Sequence, residues 1–284
     1  MRERRRRERV NVTRRRLVVG LGATGFALAA GPVSAQVITT PSAGLITAEP
    51  KLRSGADSIP VYEARPAGGG RHPVIIVMHE IFGVHEHIRD VARRFAREGY
   101  AALVPELFSR EGVAQLSDFA KVREVVGKIS DHQVLQDLAA VTAFARQQPY
   151  ARADRVGATG FCWGGRITWL LAATDKNLQA AVAWYGRLAS PQKDEAHPRD
   201  PLDLAAEVAC PVLGLYGEAD TGIPVADVRK MEARLKKAGR AAEFVIYPGA
   251  PHAFFADYRP SYRPEPAKDA WQRALAWFAR YLKA

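Results

Sequence analysis

Three residues whose types together perform nucleophilic acyl transfer are spread along the chain: a cysteine, an aspartate and a histidine. Cys162 lies in Gly160-Phe161-Cys162-Trp163-Gly164, a G-x-nucleophile-x-G turn between an apolar run and a helical pattern. Asp220 and His252 each follow a further apolar run. A histidine beside a thiol can take its proton, and a carboxylate can hold the imidazole in the required tautomer. The three residues therefore predict a Cys-His-Asp triad with Cys162 as the nucleophile.

Each of these residues also has a simpler interpretation. Cys162 could be a small packed residue before a helix, Asp220 could cap the helix that follows it, and His252 could be an exposed loop residue. Asp227 and Asp257 compete with Asp220 for the acid role. The position of Cys162, Asp220 and His252 at the ends of three predicted strands favours the triad, because ligands bind at that edge of an open α/β sheet.

The elements that must position the triad alternate between strand and helix from residue 73 onward. This alternation predicts an α/β fold with a mostly parallel central sheet and helices on both faces. The chain order nucleophile, acid, histidine is that of the α/β-hydrolase fold. Before residue 73, Ile46 to Leu52 and Ile59 to Arg65 predict an N-terminal antiparallel hairpin. We expect one domain over residues 45–284, preceded by a linker at 36–44.

The loop after the first buried strand, Met78-His79-Glu80-Ile81-Phe82-Gly83, completes the predicted chemistry. In α/β-hydrolases one donor to the oxyanion comes from the residue after the nucleophile and the other from this loop. We therefore assign the backbone N–H groups of Ile81 and Trp163 to the oxyanion hole. Glu80 is then expected near the nucleophile, although it could also be an ordinary exposed glutamate.

Four motifs in the correct order resemble the dienelactone hydrolase family over roughly residues 45–284. They are the loop from Met78 to Gly83, the turn from Gly160 to Gly165, Gly217-Glu218-Ala219-Asp220, and Pro251-His252. The resemblance implies a Cys-His-Asp triad that hydrolyses a cyclic enol-lactone or a related ester, without a cofactor. It also implies that Glu80 contacts the resting thiol and helps to generate the thiolate when substrate binds. The tail from Pro251 to Leu282 resembles an exported branch of the family.

The residues expected to hold the substrate depart from the family pattern. Family members that act on dienelactones hold its carboxylate with arginines, and one of these lies four residues after the histidine, where this chain has Ala256. Arg123, Arg166 and Arg187 are the candidate substitutes. The bulky residues Phe82, Trp184 and Tyr185, together with Trp163, are expected to form an apolar pocket, although aromatic residues at strand ends often only pack.

A dense run of histidine and glutamate, His79, Glu80, His85, Glu86 and His87, suggests a metal site as an alternative. The run is not an H-E-x-x-H motif, because Gly83 occupies the last position. We therefore predict no metal ligands and no cofactor.

The charge distribution separates the first 35 residues from the rest of the chain. The formal net charge is +11, and nine arginines and two glutamates place +7 of it within residues 1–35. The remaining +4 does not call for a polyanion, so nucleic-acid binding is not expected. Arg14-Arg15-Arg16, the apolar stretch from Leu17 to Ala30 and Val33-Ser34-Ala35 are typical of a twin-arginine signal peptide.

We therefore expect recognition by the twin-arginine export machinery, cleavage after Ala35 and a periplasmic protein. An uncleaved amphipathic anchor is the alternative. Cys210 precedes Pro211 at the start of an apolar run and is expected to be an inert core residue, so no disulfide with Cys162 is predicted. The expected partner is a small ester or lactone, bound by a monomer or small homo-oligomer. A non-catalytic periplasmic ligand-binding protein on the same fold is the alternative function.

Overall fold

The computed structural model describes residues 37–284, and the predicted signal peptide lies outside the described residues. A nine-stranded sheet forms the centre of the molecule. Its strands are β1 (Leu45–Ala48), β2 (Lys51–Ser54), β3 (Asp57–Pro66), β4 (His72–Met78), β5 (Ala101–Pro105), β6 (Ala151–Phe161), β7 (Ala180–Trp184), β8 (Val212–Gly217) and β9 (Ala242–Tyr247). The order across the sheet is β1-β3-β5-β4-β6-β7-β8-β9, with β2 also paired to β3. All neighbours from β5 to β9 are parallel, so the prediction of a mostly parallel sheet is confirmed.

Helices cover both faces of this sheet, as the alternating pattern predicts. They are α1 (Glu86–Arg97), α2 (Phe119–Val126), α3 (Asp131–Gln147), α4 (Trp163–Thr174), α5 (Val225–Lys237) and α6 (Pro264–Phe278). On one face α1 meets α6, where the rings of Phe95 and Trp271 lie 4.6 Å apart. On the other face α3 packs beside α4, and α5 covers β9. The parallel strands are therefore buried on both sides, which is why they read as continuous apolar runs such as Val74 to Met78.

The N-terminal hairpin exists, but the first predicted strand is divided into two. β1 pairs with one end of β3 and β2 with the other, both antiparallel. Pro50 lies between β1 and β2 and has no backbone N–H to donate, so the strand breaks there. The turn from β2 to β3 places Ser54 opposite Asp57, and Gly55 within it has φ 60°.

The C-terminal helix begins earlier than the apolar stripe indicates. The spacing of the apolar residues Trp271, Leu275, Phe278 and Leu282 predicts a helix from Lys268 to Leu282. In the structure α6 begins at Pro264 and ends at Phe278, and a π-helical turn from Ala279 to Lys283 follows. Proline is well tolerated in a first helical turn, because the missing N–H has no partner there. Phe278 and Leu282 are buried against β6, so the stripe itself packs as predicted.

Part of the segment predicted as a linker packs on α1. The amide nitrogen of Thr40 donates to Asp90 Oδ1 at 2.5 Å, and Arg93 Nε donates to the Thr40 carbonyl oxygen at 2.9 Å. Asp90 is buried, and its charge is paired with Arg93 Nη2 at 3.1 Å and Arg94 Nε at 2.6 Å. Within residues 37–284, no helix combines the length and apolar composition that crossing a membrane requires.

Candidate active site

Cys162 lies at the sharp turn between β6 and α4, in a backbone conformation that side chains rarely adopt. Its φ is 56° and its ψ is −112°, outside the regions that a residue with a Cβ normally occupies. The turn is compact because a Cβ at Gly160 would lie 2.2 Å from the Gly164 carbonyl oxygen. A Cβ at Gly164 would in turn lie 2.4 Å from the Met78 carbonyl oxygen. The two glycines therefore let β6 and α4 approach closely while the Cys162 side chain faces the end of the sheet.

His252 and Asp220 meet Cys162 at this edge. His252 Nε2 lies 3.1 Å from Cys162 Sγ, and His252 Nδ1 lies 2.6 Å from Asp220 Oδ2. The other carboxylate oxygen, Asp220 Oδ1, accepts from the amide nitrogens of Gly222 and Ile223 at 2.9 and 3.1 Å. The structure thus brings the three predicted residues into one hydrogen-bonded chain.

The electrostatics of this chain favour a protonated imidazole at His252. Burial lowers the pKa of His252, but the charge of the Cys162 thiolate and the hydrogen bond to Asp220 outweigh it and raise the pKa to about 10. Imidazolium next to a thiolate is the arrangement that activates a cysteine nucleophile.

The two competing aspartates are engaged elsewhere. Asp257 accepts a hydrogen bond from Arg94 at 2.6 Å and lies 3.1 Å from His87 Nδ1. Asp227 lies in the first turn of α5, where an acidic side chain complements the helix dipole. Asp220 is therefore the aspartate that contacts His252.

Two backbone N–H groups are available at the mouth of the site. Ile81 and Trp163 both line the cavity above Cys162. No hydrogen bond within the described residues engages the N–H of either one. Trp163 is also the first residue of α4, so its N–H shares the positive end of the helix dipole. These two groups can thus receive a negatively charged oxygen.

Glu80 is buried beside this loop but does not line the cavity. Its Oε2 accepts from Tyr258 Oη at 2.5 Å and lies 3.5 Å from His85 Nε2. Burial raises the pKa of Glu80, but the hydrogen bond and charge of His85 more than compensate and lower it to about 2. Glu80 is therefore a buried carboxylate held by its own partners, and among the described residues no hydrogen bond joins it to the thiol of Cys162.

The cavity above the nucleophile has a volume of about 570 Å³ and carries three arginines on its wall. Arg166 makes two hydrogen bonds to Asp131, at 2.6 and 2.8 Å, so its charge is already balanced. Arg123 and Arg187 are exposed and form no ion pair with the described residues. Of the candidate substitutes for the family arginine, Arg123 and Arg187 can therefore receive an anionic group.

Two of the aromatic residues predicted to line the pocket do not line it. Trp184 is fully buried beneath the site, where Nε1 donates to Thr159 Oγ1 at 3.0 Å. Phe82 is also buried and packs with its ring 6.0 Å from that of Phe119. The prediction is wrong for both. Trp184 ends β7, where side chains alternate between the two faces of the sheet, and Phe82, in the loop after β4, packs into the hydrophobic core. Tyr185 does line the cavity.

The run of histidine and glutamate serves the packing of the loop. His79 Nε2 accepts from the Leu107 amide at 3.1 Å, so its Nδ1 carries the proton that it donates to the Glu80 carbonyl oxygen at 2.7 Å. His87 contacts Asp257. Across residues 37–284, no three histidine, cysteine, aspartate or glutamate side chains are grouped so that they could hold a metal ion.

Sequence reasoning missed Tyr258 and His85 as the partners of Glu80, and Asp131 as the partner of Arg166. These contacts join residues that are far apart in the chain, and no local pattern signals them. The amides that hold Asp220 were predictable, because aspartate often accepts from the backbone two and three residues later.

The sequence and the fold both match known proteins. The model of the dienelactone hydrolase family matches residues 59–282. A protein of Methylorubrum extorquens named "Putative carboxymethylenebutenolidase" is 51% identical over 273 residues, which cover 95% of this chain and 94% of that protein. One of the same name from Salmonella typhimurium is 49% identical over 261 residues, 91% of this chain and 96% of that protein. The crystal structure of a "Putative Dienelactone Hydrolase" from Klebsiella pneumoniae has a TM-score of 0.81 and 49% identity, covering 84% of this chain and 99% of that one.

Proposed function

Since the chain belongs to the dienelactone hydrolase family, we propose that it hydrolyses a lactone or small carboxylic ester through a thioester on Cys162. The observation that carries this proposal is the hydrogen-bonded chain from Cys162 Sγ through His252 to Asp220. In this scheme His252 is the general acid and base, and Asp220 orients its ring and stabilises its charged form.

The first half of the reaction forms the thioester. The Cys162 thiolate attacks the carbonyl carbon, and the resulting oxyanion accepts hydrogen bonds from the N–H groups of Ile81 and Trp163. As the tetrahedral intermediate collapses, the bond between the carbonyl carbon and the ester oxygen breaks. The leaving alkoxide or enolate takes the proton of the His252 imidazolium. A lactone yields a single product that stays attached through its acyl group.

The second half hydrolyses the thioester. Neutral His252 takes a proton from a water molecule, and the hydroxide attacks the same carbonyl carbon. The collapse of this second intermediate breaks the bond to sulfur and releases a carboxylic acid. The thiolate of Cys162 and the imidazolium of His252 are then restored, so the cycle balances without a cofactor.

The cavity supports a small substrate with a negative charge. Its volume of about 570 Å³ suits a compact molecule. Arg123 and Arg187, which lack an acidic partner among the described residues, supply the positive charge on its wall. Ala256, at the position of the family arginine, is buried and does not reach the cavity. We therefore propose that an anionic lactone is held by arginines from the cavity wall.

The test is a comparison of Cys162→Ala with Cys210→Ala on p-nitrophenyl acetate and a panel of lactones. Cys162→Ala removes the nucleophile and is expected to abolish turnover. Cys210 is a buried free thiol away from the site, so its alanine variant keeps its activity. Full esterase activity in Cys162→Ala would overturn the proposed mechanism. Absence of turnover in the wild-type protein on the whole panel would point to the ligand-binding alternative.

We also propose that residues 1–35 direct export through the twin-arginine machinery. The support is in the sequence, where three arginines precede a short apolar stretch that ends in Val33-Ser34-Ala35.

A further inference from the structure

Tyr185 is a buried residue after β7 whose hydroxyl has no hydrogen-bond partner among residues 37–284. Its φ is 37°, in a region that non-glycine residues seldom occupy. Its amide nitrogen donates to the Leu215 carbonyl oxygen at 2.8 Å, so the sheet holds the residue in this conformation. An unpaired buried hydroxyl and a strained backbone both destabilise the folded state. Folding alone therefore does not account for a tyrosine at this position.

Tyr185 lies on the same cavity as Cys162, the proposed nucleophile, and contacts His252. Its ring meets the His252 ring edge to face, with 5.2 Å between their centres. It lines the same cavity as Cys162. The charged groups that act on its hydroxyl belong to Glu80, Cys162, Arg259 and Asp257. Burial first, then the charges of Glu80 and Cys162, hold its pKa well above 10. The hydroxyl therefore stays protonated at any working pH and is a hydrogen-bond donor.

A buried carboxylate, that of Glu80, also has one oxygen without a hydrogen-bond partner among the described residues. Glu80 Oε1 is buried and has no hydrogen-bond partner among the described residues, whereas Oε2 is held by Tyr258. Among the described residues, the side chain that forms a hydrogen-bond contact with the Cys162 thiol is His252. Rotation about a single side-chain bond changes the direction in which the sulfur points. Tyr185 therefore adds a buried hydrogen-bond donor to the cavity that Cys162 lines, in addition to the triad.

We propose that the Tyr185 hydroxyl donates a hydrogen bond to the Cys162 thiolate when the sulfur turns from His252, and so stabilises the thiolate form of the nucleophile. The inference rests on the proposed function, since it assigns a role only where Cys162 is the nucleophile. The donor serves twice in the cycle: before attack, and when the thiolate leaves the second tetrahedral intermediate. Tyr185 keeps its proton throughout.

The test is Tyr185→Phe, which keeps the ring and removes only the hydroxyl. Because that hydroxyl has no hydrogen-bond partner among the described residues, its removal is expected to leave the melting temperature of the variant unchanged or to raise it. The proposed role predicts that the pH profile of Cys162 alkylation by iodoacetamide moves up by about one to two pH units. It also predicts that kcat/KM for p-nitrophenyl acetate at neutral pH falls by about tenfold to a hundredfold.

A matched control is Tyr216→Phe at the end of β8. Tyr216 is equally buried, but its hydroxyl accepts from Trp169 Nε1 at 3.0 Å. Its removal leaves that indole N–H unpaired, so the melting temperature is expected to fall. The alkylation profile of Cys162 is expected to stay where it is in the wild-type protein. The two variants thus separate an effect on the thiol from an effect on folding.

The outcomes distinguish this inference from the function on which it rests. If iodoacetamide fails to inactivate the wild-type enzyme at Cys162, the proposed function is wrong. If it does inactivate the wild type, and Tyr185→Phe shows the wild-type profile, only the inference about Tyr185 is wrong. Replacement of Tyr185 by 3-fluorotyrosine keeps the hydroxyl and strengthens it as a donor. The profile should then move to lower pH, and no movement would contradict the inference even if the phenylalanine variant does not fold.

Discussion

At the scale of single residues, the role of each carboxylate at the site depends on the groups that it contacts. Asp220 is buried, accepts two backbone amides and leaves one oxygen for His252. The charge of Cys162 and the hydrogen bond to that oxygen raise the pKa of His252, so the imidazolium form is stabilised. Glu80 is also buried, but its partners hold it apart from this chain. Two carboxylates at one sheet edge therefore have different roles because their neighbours differ.

Replacing Asp220 tests its orienting role. We expect Asp220→Asn to lower kcat by a factor of about 10² to 10⁴, because an amide can stabilise the wrong imidazole tautomer and cannot balance the imidazolium charge. The pKa of His252 should also fall, since one of the groups that raise it is removed. Steady-state kinetics on p-nitrophenyl acetate measures the first effect and NMR titration of His252 the second.

The matched control for this prediction is Asp227→Asn. Asp227 lies in the first turn of α5, close to Asp220 in the chain but without a contact to His252. Its activity is expected to stay at the wild-type level. Equal losses of activity in both variants would show that Asp220 is not the residue that orients His252.

At the scale of elements, the elbow between β6 and α4 is the decisive junction. α4 approaches β4 and β7 so closely that side chains are excluded at several positions, and a Cβ at Gly165 would lie 2.3 Å from the Trp184 carbonyl oxygen. The same closeness lets the Cys162 amide donate to that carbonyl at 3.0 Å. The packing of the helix on the sheet thus holds Cys162 in a backbone conformation that the residue does not itself prefer.

Gly160→Ala tests this junction. The new methyl group would meet the Gly164 backbone and the Thr168 hydroxyl, neither of which can move without displacing α4. We expect a loss of about 3 kcal/mol in the free energy of unfolding, and a large loss of activity because the turn carries Cys162. Urea denaturation measures the first and ester hydrolysis the second.

Gly68→Ala is the control for the elbow. Gly68 lies in the loop between β3 and β4, and a Cβ there would meet no atom within 4 Å. Its stability should change by no more than about 0.5 kcal/mol. A Gly160→Ala variant as stable as Gly68→Ala would show that the close approach does not constrain the turn.

At the scale of the whole molecule, a strongly basic segment, residues 1–35, precedes the domain that the structure describes. The sheet, its helices and the cavity lie within residues 45–284. Thr40 is tied to α1 by hydrogen bonds to Asp90 and from Arg93, so contacts with the domain extend ahead of β1. The twin-arginine machinery exports folded proteins, and the contacts of Thr40 agree with the proposal that cleavage after Ala35 leaves the domain intact.

Export is tested on the full-length chain. We expect the protein to be recovered from the periplasmic fraction with Gln36 as its first residue, which N-terminal sequencing detects. A variant with both Arg15→Lys and Arg16→Lys should accumulate as the full-length precursor in the cytoplasm, since the paired arginines are what the machinery reads. A periplasmic protein that still begins at Met1 would indicate an uncleaved anchor instead.

The sequence by itself determined the fold class and the three residues that meet at the edge of the sheet. Continuous apolar runs such as Val74 to Met78 predict buried parallel strands, and the ends of three such strands supply Cys162, Asp220 and His252. Local patterns carry this information because strand, turn and helix preferences are set by neighbouring residues. The same reasoning failed at Pro50, where a missing N–H divides the strand, and at Pro264, where the last helix begins early.

Only the tertiary structure decided which side chains face one another across the sheet edge. It buried Trp184 and Phe82, left Arg123 and Arg187 on the cavity wall, and closed Glu80 in with Tyr258 from 178 residues away. It also left the Tyr185 hydroxyl without a hydrogen-bond partner among residues 37–284, on the cavity that Cys162 lines. Contacts between distant residues depend on the packing of the whole sheet and its helices, so no local pattern contains them.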